Sequence, residues 1–291
     1  MSYADANGVK LYVEATGSGY PIVFVHEFAA DQREWETQVR YFSRHYRCIT
    51  YAARGYPPSD VPEDEAAYTY THFADDIAAV LRHVGVPTAH VVGLSQGAYA
   101  TLMFGLRHPQ MASALVAAGC GSGSARDQRE DFLKHCAVNA QRFLQEGAHA
   151  LAQEMGVSAS RVQLLNKDPR GWQEFVDHLS HHSAKGAALT LRNYQGQRPS
   201  LYDCEQQFAA LTIPTLLIVG DEDDACLEPS VFLKRTIATA GLLVQPRTGH
   251  AVNLEEPAVF NREVQDFFST VERGRWGRRD PRAAVSVQPQ R

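Results

Sequence analysis

The strongest constraint on the fold of this chain is the pentapeptide Gly93-Leu94-Ser95-Gln96-Gly97. An apolar, strand-sized run at 89–92 precedes it, and a segment of helical character follows at 98–102. Glycines on both sides of the serine permit a sharp turn where a strand and a helix approach closely. The pattern therefore predicts a strand, a tight turn and a helix, with the Ser95 hydroxyl exposed at the turn. The first backbone N–H groups of that helix would lie beside the hydroxyl, where they can stabilise an oxyanion.

Strand-like and helix-like segments alternate along most of the chain. The strand candidates have alternating or continuous apolar residues, whereas the helix candidates repeat apolar residues every three or four positions. This alternation is typical of an α/β fold with a mostly parallel, doubly wound sheet that helices cover on both faces. We expect strands at 9–15, 21–25, 48–51, 89–92, 114–117, 215–219 and 242–244, and helices around 35–42, 73–84, 98–102 and 260–271.

The alternation stops between 121 and 202, where apolar residues repeat only at helical spacing. We interpret residues 121–202 as an inserted helical cap, which leaves the sheet at the same edge as Ser95 and covers it. The core domain then consists of residues 1–120 and 203–271. The remaining residues, 272–291, are rich in arginine and contain two prolines, which predicts a disordered basic tail.

Composition narrows the class of protein. The chain has 291 residues, of which 44% are hydrophobic and 21% charged, so it can bury a sizeable core. A net charge of -5 argues against nucleic acid as a partner. The sequence has no apolar run of membrane-spanning length and no signal-peptide core, so we expect a cytoplasmic protein with no membrane partner. The five cysteines lack metal-binding spacing, and we expect a small-molecule substrate and no metal, while homo-oligomer formation stays open.

A serine hydroxyl is a weak nucleophile at neutral pH and needs a nearby histidine that a carboxylate orients. His250 follows a strand and precedes the last helix, so its loop can hold it over the carboxyl edge of the sheet. The acidic loop 221–224 follows the strand that ends at Val219 and opens at the same edge. From position alone, any of its four acidic residues could orient His250.

The order serine, acid, histidine resembles that of the α/β-hydrolase superfamily, in the branch of serine hydrolases with a helical cap. That branch includes esterases, enol-lactonases and hydrolases of ring-cleavage products. The resemblance extends over nearly the whole chain except the arginine-rich tail. Besides the pentapeptide, the matching motifs are Val25-His26, residues 54–59, Gly220-Asp221-Glu222-Asp223 and Gly249-His250.

The resemblance implies a catalytic triad. Ser95 would be the nucleophile, His250 the general base, and Asp223 the orienting acid, since the family's acid usually stands three residues after the glycine. Asp224 is the alternative acid. The implied reaction is hydrolysis of a carboxylic ester or related acyl compound through an acyl-enzyme, without a metal or an organic cofactor.

The resemblance also implies an oxyanion hole made of two backbone N–H groups, which correspond here to Phe28 and Gln96. The family usually has His-Gly before the first of these donors, whereas this chain has His26-Glu27. A carboxylate at this place would oppose the negative charge that develops during acyl transfer. Arg54 is a candidate partner for Glu27, and a Glu27 side chain that points to solvent is the alternative.

Other readings of the sequence stay open. Carbon–carbon bond hydrolases of ring-cleavage products share the same triad, and Arg192 or His182 could bind the carboxylate of such a substrate, although neither matches a motif. A non-catalytic small-molecule receptor on the same fold is a second alternative. For the substrate pocket, the candidate residues are Tyr99, Trp172 and His182.

Overall fold

A computed structural model of the chain describes residues 1–283. Within these residues the strands are β1 (Ser2–Ala6), β2 (Val9–Thr16), β3 (Tyr20–Val25), β4 (Tyr46–Tyr51), β5 (Ala89–Leu94), β6 (Ala112–Ala118), β7 (Thr215–Gly220) and β8 (Ala240–Gln245). They form one sheet in the order β1-β2-β4-β3-β5-β6-β7-β8. The pairings β1–β2 and β2–β4 are antiparallel and the others are parallel. The prediction of an α/β fold with a mostly parallel sheet is confirmed.

The α-helices of the described residues are α1 (Glu36–Phe42), α2 (Tyr70–His83), α3 (Gln96–Arg107), α4 (Arg129–Gly156), α5 (Val162–Lys167), α6 (Pro169–Ser180), α7 (Ala184–Leu189), α8 (Glu205–Ala210), α9 (Asp224–Thr236), α10 (Val252–Glu255) and α11 (Pro257–Glu272). Short 3₁₀ helices lie at Gln32–Trp35, Glu65–Ala67, Pro109–Met111, Leu201–Cys204 and Pro281–Ala283, and a π-helical turn at Thr190–Gln195. No helix within residues 1–283 has both the length and the apolar character needed to cross a membrane.

Alternate residues of the central strand β5 explain the double winding. All six residues of β5 are buried, because helices cover both faces of the sheet. Val91 packs into one apolar core with residues of α2 and α3, whereas Val92 and Leu94 pack into a second core with residues of α1 and α11. Parallel strands that end at the same edge bring the loops after β3, β5, β6 and β7 together, and the candidate site lies there.

The structure contains a strand, β1, that we did not predict from the sequence. It forms a hairpin with β2 through Asn7 and Gly8, whose φ angles are 57° and 83°. Asn-Gly with positive φ at both residues is typical of a tight two-residue hairpin turn. The dipeptide Asn7-Gly8 was therefore a signal in the sequence for the strand that we did not predict. The buried side chains of Ala4 and Ala6 pack in the core that contains α2.

The segment between β6 and β7 contains only helical elements, α4 to α8 and the two short helices between α7 and α8. α4 bends at Gly147, which has a φ of 81°. Residues Phe143 of α4 and Phe175 of α6 belong to two apolar clusters that also include Phe28, and the second cluster includes Ala29 and Ala30. Because residues 28–30 follow β3 at the carboxyl edge of the sheet, these helices cover that edge.

The first part of the segment predicted to be a disordered tail packs on the core. Trp276 Nε1 donates a hydrogen bond to Thr239 O at 2.7 Å, and its ring lies 4.6 Å from that of Phe267. The ring fills the space beside Gly241, where a side chain would collide with it. Arg279 N also donates to Ala238 O at 2.8 Å. The structure thus differs from the expected disorder in this part of the tail, and residues 284–291 lie outside the described residues.

Candidate active site

Ser95 occupies the tight turn between β5 and α3, as the pentapeptide predicts. Its φ of 54° and ψ of -113° place a non-glycine residue in a backbone conformation that is costly unless the surroundings hold it. The Ser95 N–H donates to Ala118 O at 2.8 Å, which ties the turn to the end of β6. A Cβ at Gly93 would collide with Gly97 O, and one at Gly97 would collide with Val25 O. Only glycines therefore permit this close packing of β3, β5 and α3.

His250 and Asp223 form a buried hydrogen-bonded pair. Asp223 follows β7 and His250 lies after β8, and the distance from His250 Nδ1 to Asp223 Oδ2 is 2.6 Å. The other candidate acid, Asp224, is the first residue of α9 and is exposed, so the structure brings Asp223 rather than Asp224 to the histidine. An ionised carboxylate only accepts hydrogen bonds, so the proton of the neutral imidazole lies on Nδ1 and Nε2 is left as an acceptor.

The pKa values of the pair shift in opposite directions. Burial alone would lower the pKa of His250, but the charge of Asp223 and the hydrogen bond to it outweigh burial and raise that pKa above its usual value. Burial alone would raise the pKa of Asp223, but the charge and hydrogen bond of His250 lower it below its usual value. The carboxylate is therefore ionised at neutral pH and stabilises a positive charge on the imidazole.

One of the two backbone groups expected to form an oxyanion hole, the Phe28 N–H, is held in place by its neighbours. Among residues 1–283, neither the Phe28 N–H nor the Gln96 N–H donates to a protein acceptor. His26 Nδ1 lies 2.7 Å from Glu27 O, which belongs to the same peptide group as the Phe28 N–H. His26 Nε2 accepts a hydrogen bond from Ala53 N at 3.0 Å. Burial lowers the pKa of His26 to about 4, so the ring is neutral, donates from Nδ1 and fixes the orientation of this peptide.

A cavity of about 260 Å³ lies between the sheet edge and the helices that cover it. Side chains of the expected triad line it together with residues of the core and of the cap: Glu27, Phe28, Ala29, Ser95, Ser122, Phe132, His135, Cys136, Asn139, Phe143, Met155, Ser160, Arg161, Leu191, Gln195, Arg198, Asp223, Ala225 and His250. Both the volume and the mixture of apolar walls with a few polar groups suit a small organic molecule.

Tyr99, Trp172 and His182, which we expected in the substrate pocket, are not among the residues that line this cavity, whereas Phe28 is. Tyr99 is buried and its hydroxyl donates to Pro199 O at 3.0 Å. Trp172 donates to Gly156 O at 2.7 Å and so packs within the cap. His182 lies 3.6 Å from Asp31 Oδ2. Helical periodicity identified the buried faces of these segments but not which buried faces border the cavity.

The predicted contact between Glu27 and Arg54 is wrong. Arg54 instead forms a two-pronged ion pair with Asp76, with distances of 2.8 and 2.5 Å. Glu27 is buried and pairs with Arg161, which lies between α4 and α5. The reason is the cap: it brings a cation across the carboxyl edge, to a carboxylate 134 residues earlier in the chain.

Sequence reasoning missed Arg161 and Arg198, the two arginines that line the cavity. Both lie in short connections, between α4 and α5 and after the π-helical turn, and neither belongs to a periodic pattern or a motif. Arg192, the arginine considered from the sequence, bonds to Gln141 Oε1 at 3.1 Å and does not line the cavity. No local signal distinguishes the three arginines, because the packing of the cap decides which of them face inward.

Three residues of types that can bind metals lie close together at this site. Within residues 1–283, Asp223, Cys226 and His250 bring one potential ligand atom each within 4.8 Å of one another. Burial raises the pKa of the Cys226 thiol well above its usual value, and its Sγ lies 3.3 Å from Gly119 O. The Asp223 carboxylate already accepts a hydrogen bond from the histidine, and the Cys226 thiol is placed to donate to the carbonyl of Gly119. The cluster fits a hydrogen-bonded pair with a neighbouring thiol better than it fits a metal site.

The chain is similar to known proteins over most of its length. A sequence model of the alpha/beta hydrolase family matches residues 22–263. The 3-oxoadipate enol-lactonase 2 of Acinetobacter baylyi is 27% identical over 251 residues, which cover 84% of this chain and 86% of that protein.

Two solved structures share the fold. The enol-lactonase of Burkholderia xenovorans LB400 has a TM-score of 0.80 at 22% identity, and the match covers 92% of this chain and 99% of that one. A thermophilic esterase of Thermogutta terrifontis has a TM-score of 0.81 at 23% identity, and the match covers 93% of this chain and 97% of that one. At these identities the two structures show the fold alone.

Proposed function

This chain belongs to the alpha/beta hydrolase family and is a hydrolase, and from this premise we propose that it cleaves a carboxylic ester or a related acyl compound through a Ser95–His250–Asp223 triad. The observation that carries the proposal is the 2.6 Å hydrogen bond between His250 and Asp223, in a cavity that Ser95 also lines. The partner is a small molecule that fits this cavity. The name of the Acinetobacter relative supports the same bond type, because an enol-lactone is an internal ester.

The proposed reaction has two acyl-transfer steps. His250 Nε2 accepts the Ser95 proton while the serine oxygen attacks the acyl carbon, and the negative charge that forms on the carbonyl oxygen is held by the N–H groups of Phe28 and Gln96. Protonated His250, stabilised by Asp223, then gives its proton to the leaving alcohol, so that the acyl group remains on Ser95. Water deprotonated by His250 attacks the acyl-enzyme and releases the acid and the free serine.

The experiment compares wild type with Ser95→Ala and with a control serine variant, Ser269→Ala, on aryl, alkyl and lactone esters. We expect Ser95→Ala to lower kcat/KM by about a thousandfold or more with an unchanged circular-dichroism spectrum. Ser269 lies on α11, away from the cavity, and its variant should keep full activity. A fluorophosphonate probe should label wild type and Ser269→Ala but not Ser95→Ala. Full ester hydrolysis by Ser95→Ala would refute the nucleophile.

The fluorophosphonate probe and the ester panel also distinguish the proposed esterase from a receptor and from a carbon–carbon bond hydrolase. A receptor without catalysis would leave the fluorophosphonate probe unreacted in wild type. A narrow carbon–carbon bond hydrolase would react with the probe, because it has an active serine, but would release no alcohol from any ester of the panel. Turnover of an ester together with labelling of Ser95 is the result expected from the proposed function.

A further inference from the structure

One charged group that lines the cavity, Arg198, has no oppositely charged side chain in contact with it in the described part of the chain. Glu27 and Arg161 neutralise each other in a buried ion pair, and Asp223 is paired with His250. Arg198 lines the same cavity, and among residues 1–283 no carboxylate lies within 4 Å of its guanidinium group. Arginine stays charged in proteins, so Arg198 places a positive charge at the cavity wall with no carboxylate of the described residues in contact with it.

Arg198 is nevertheless held in a defined position. The residue is only 5% exposed, and Nη2 donates to Ser122 O at 2.8 Å. The centre of the guanidinium group lies 4.6 Å from the ring centre of Tyr99, 5.6 Å from that of Phe132 and 5.8 Å from that of Tyr194. Aromatic faces attract a cation without neutralising its charge. The rings therefore orient the guanidinium group. The carbonyl of Ser122 accepts from Nη2 and leaves most of the N–H donors of the group unused.

A second cation reinforces the positive charge at this end of the cavity. Arg129 donates to Gly123 O at 2.9 Å and to Arg198 O, and its guanidinium group lies 5.9 Å from the ring centre of Phe132. Burial and then the charge of Arg198 lower the pKa of Arg129 below its usual value. Two guanidinium groups thus flank one phenylalanine ring with backbone carbonyls as their hydrogen-bond acceptors. An anion beside Arg198 would therefore be attracted by both positive charges.

We propose that Arg198 forms a carboxylate-binding subsite, and that the substrate is an ester or lactone with a free carboxylate elsewhere in the same molecule. The planar guanidinium group matches a carboxylate in a two-pronged, charge-assisted contact. The inference rests on the proposed function, because it places the cleaved bond at Ser95 and the carboxylate at Arg198 within one cavity. It adds the chemical class of the substrate, which the triad by itself does not specify.

The test compares acidic esters with neutral partners of nearly the same shape. Monoethyl succinate, glutarate and adipate carry the carboxylate on the acyl side, and 4-acetoxybutyrate carries it on the alcohol side. Each is paired with the analogue in which a carboxamide replaces the carboxylate. We expect wild type to prefer the acid of at least one pair by about tenfold to a hundredfold in kcat/KM, the range that a charged hydrogen bond provides.

Variants assign the preference to one side chain. Arg198→Gln should abolish the preference, and Arg198→Lys should keep part of it, because lysine retains the charge but not the planar pair of donors. Arg192→Gln is the matched control: it removes an arginine from the same stretch of chain, outside the cavity, and should leave the preference intact. The ratio of acid to amide is the quantity to compare, since partial unfolding of a variant lowers both rates equally.

Calorimetry provides a readout that does not require turnover. The Ser95→Ala variant is titrated with monoethyl glutarate and with its carboxamide, before and after Arg198→Gln is added. Tighter binding of the acid that disappears with Arg198→Gln supports the subsite. Equal binding of acid and amide, binding of neither, or a preference that survives Arg198→Gln overturns it. Failure of the triad looks different, because ester hydrolysis would then persist in Ser95→Ala whatever residue stands at 198.

Discussion

The ion pair between Glu27 and Arg161 should couple the stability of the cap to that of the core. Both side chains are buried, at 3% and 5% exposure, and the pair joins the loop after β3 to the connection between α4 and α5. Glu34 Oε2 accepts the Glu27 N–H at 3.1 Å, so a second buried acid lies beside the pair. Burial and then the charge of Glu27 raise the pKa of Glu34 well above its usual value. Removal of Arg161 therefore leaves a buried carboxylate next to another acid and without a cation.

The magnitude follows from the cost of an unpaired buried charge. Loss of one partner of a buried pair costs about 3–5 kcal/mol, whereas replacement of both by neutral groups is often close to neutral. If Glu27→Gln and Arg161→Met each lower the free energy of unfolding by about 3 kcal/mol, independent sites would give about 6 kcal/mol for the double variant. We expect about 3 kcal/mol or less for the double variant, which corresponds to a coupling energy of about 3 kcal/mol or more.

The assay is urea unfolding followed by tryptophan fluorescence, for wild type, both single variants and the double variant. Arg142→Met is the control, because Arg142 pairs with Glu146 and Glu154 on the surface of the cap and its loss should have a far smaller effect. Arg161→Met should also lower kcat, since an unneutralised Glu27 opposes the charge that forms near the Phe28 N–H, and the double variant should recover part of that loss. Losses of stability that add within about 0.5 kcal/mol would refute the coupling.

Three further outcomes follow from the structure. The hydrolysis rate should fall as pH decreases through the raised pKa of His250. Asp223→Asn should shift this acid limb of the kcat/KM profile to lower pH and should lower kcat by about ten thousandfold. An unshifted acid limb would contradict the role of the carboxylate. Trp276→Ala should lower the free energy of unfolding by about 2 kcal/mol in urea titrations with kcat unchanged, and an unaltered unfolding midpoint would mean that the docked tail contributes nothing. Gly97→Ala should prevent soluble expression because of the collision of its Cβ with β3, whereas Gly277→Ala, with open space around it, should express as wild type does.

Two turns that contain residues with positive φ, at Ser95 and at Asn7-Gly8, illustrate how much local sequence can reveal. Gly93 and Gly97 around Ser95 predicted a strand, a tight turn and a helix, and the structure has β5, the turn and α3 at these places. Asn7-Gly8 carried an equally local signal for the β1–β2 hairpin, although no strand was expected before residue 9. Such signals are readable because they depend on backbone conformations that few residue types adopt.

The charged groups of the cavity illustrate the opposite case. From the sequence, Arg54 was the expected partner of Glu27, and Arg192 was considered as a cation for a carboxylate. In the structure, Arg54 pairs with Asp76, and Arg161 and Arg198 line the cavity. No local pattern assigns these arginines to their partners, so their roles depend on long-range packing between the cap and the sheet edge.

The sequence by itself determined the alternation of strands and helices, the family and the chain order of Ser95, the acidic loop 221–224 and His250, because these depend on periodicity and on short backbone motifs. Parallel strands end at one edge, so the loops that carry these residues were expected in the same region. Only the tertiary structure decided that Glu27 is neutralised by Arg161 and that Arg198 faces the cavity without a carboxylate. The physical reason is that a buried charge is stabilised by whichever group the packing brings within a few ångströms, and that neighbour can lie anywhere along the chain.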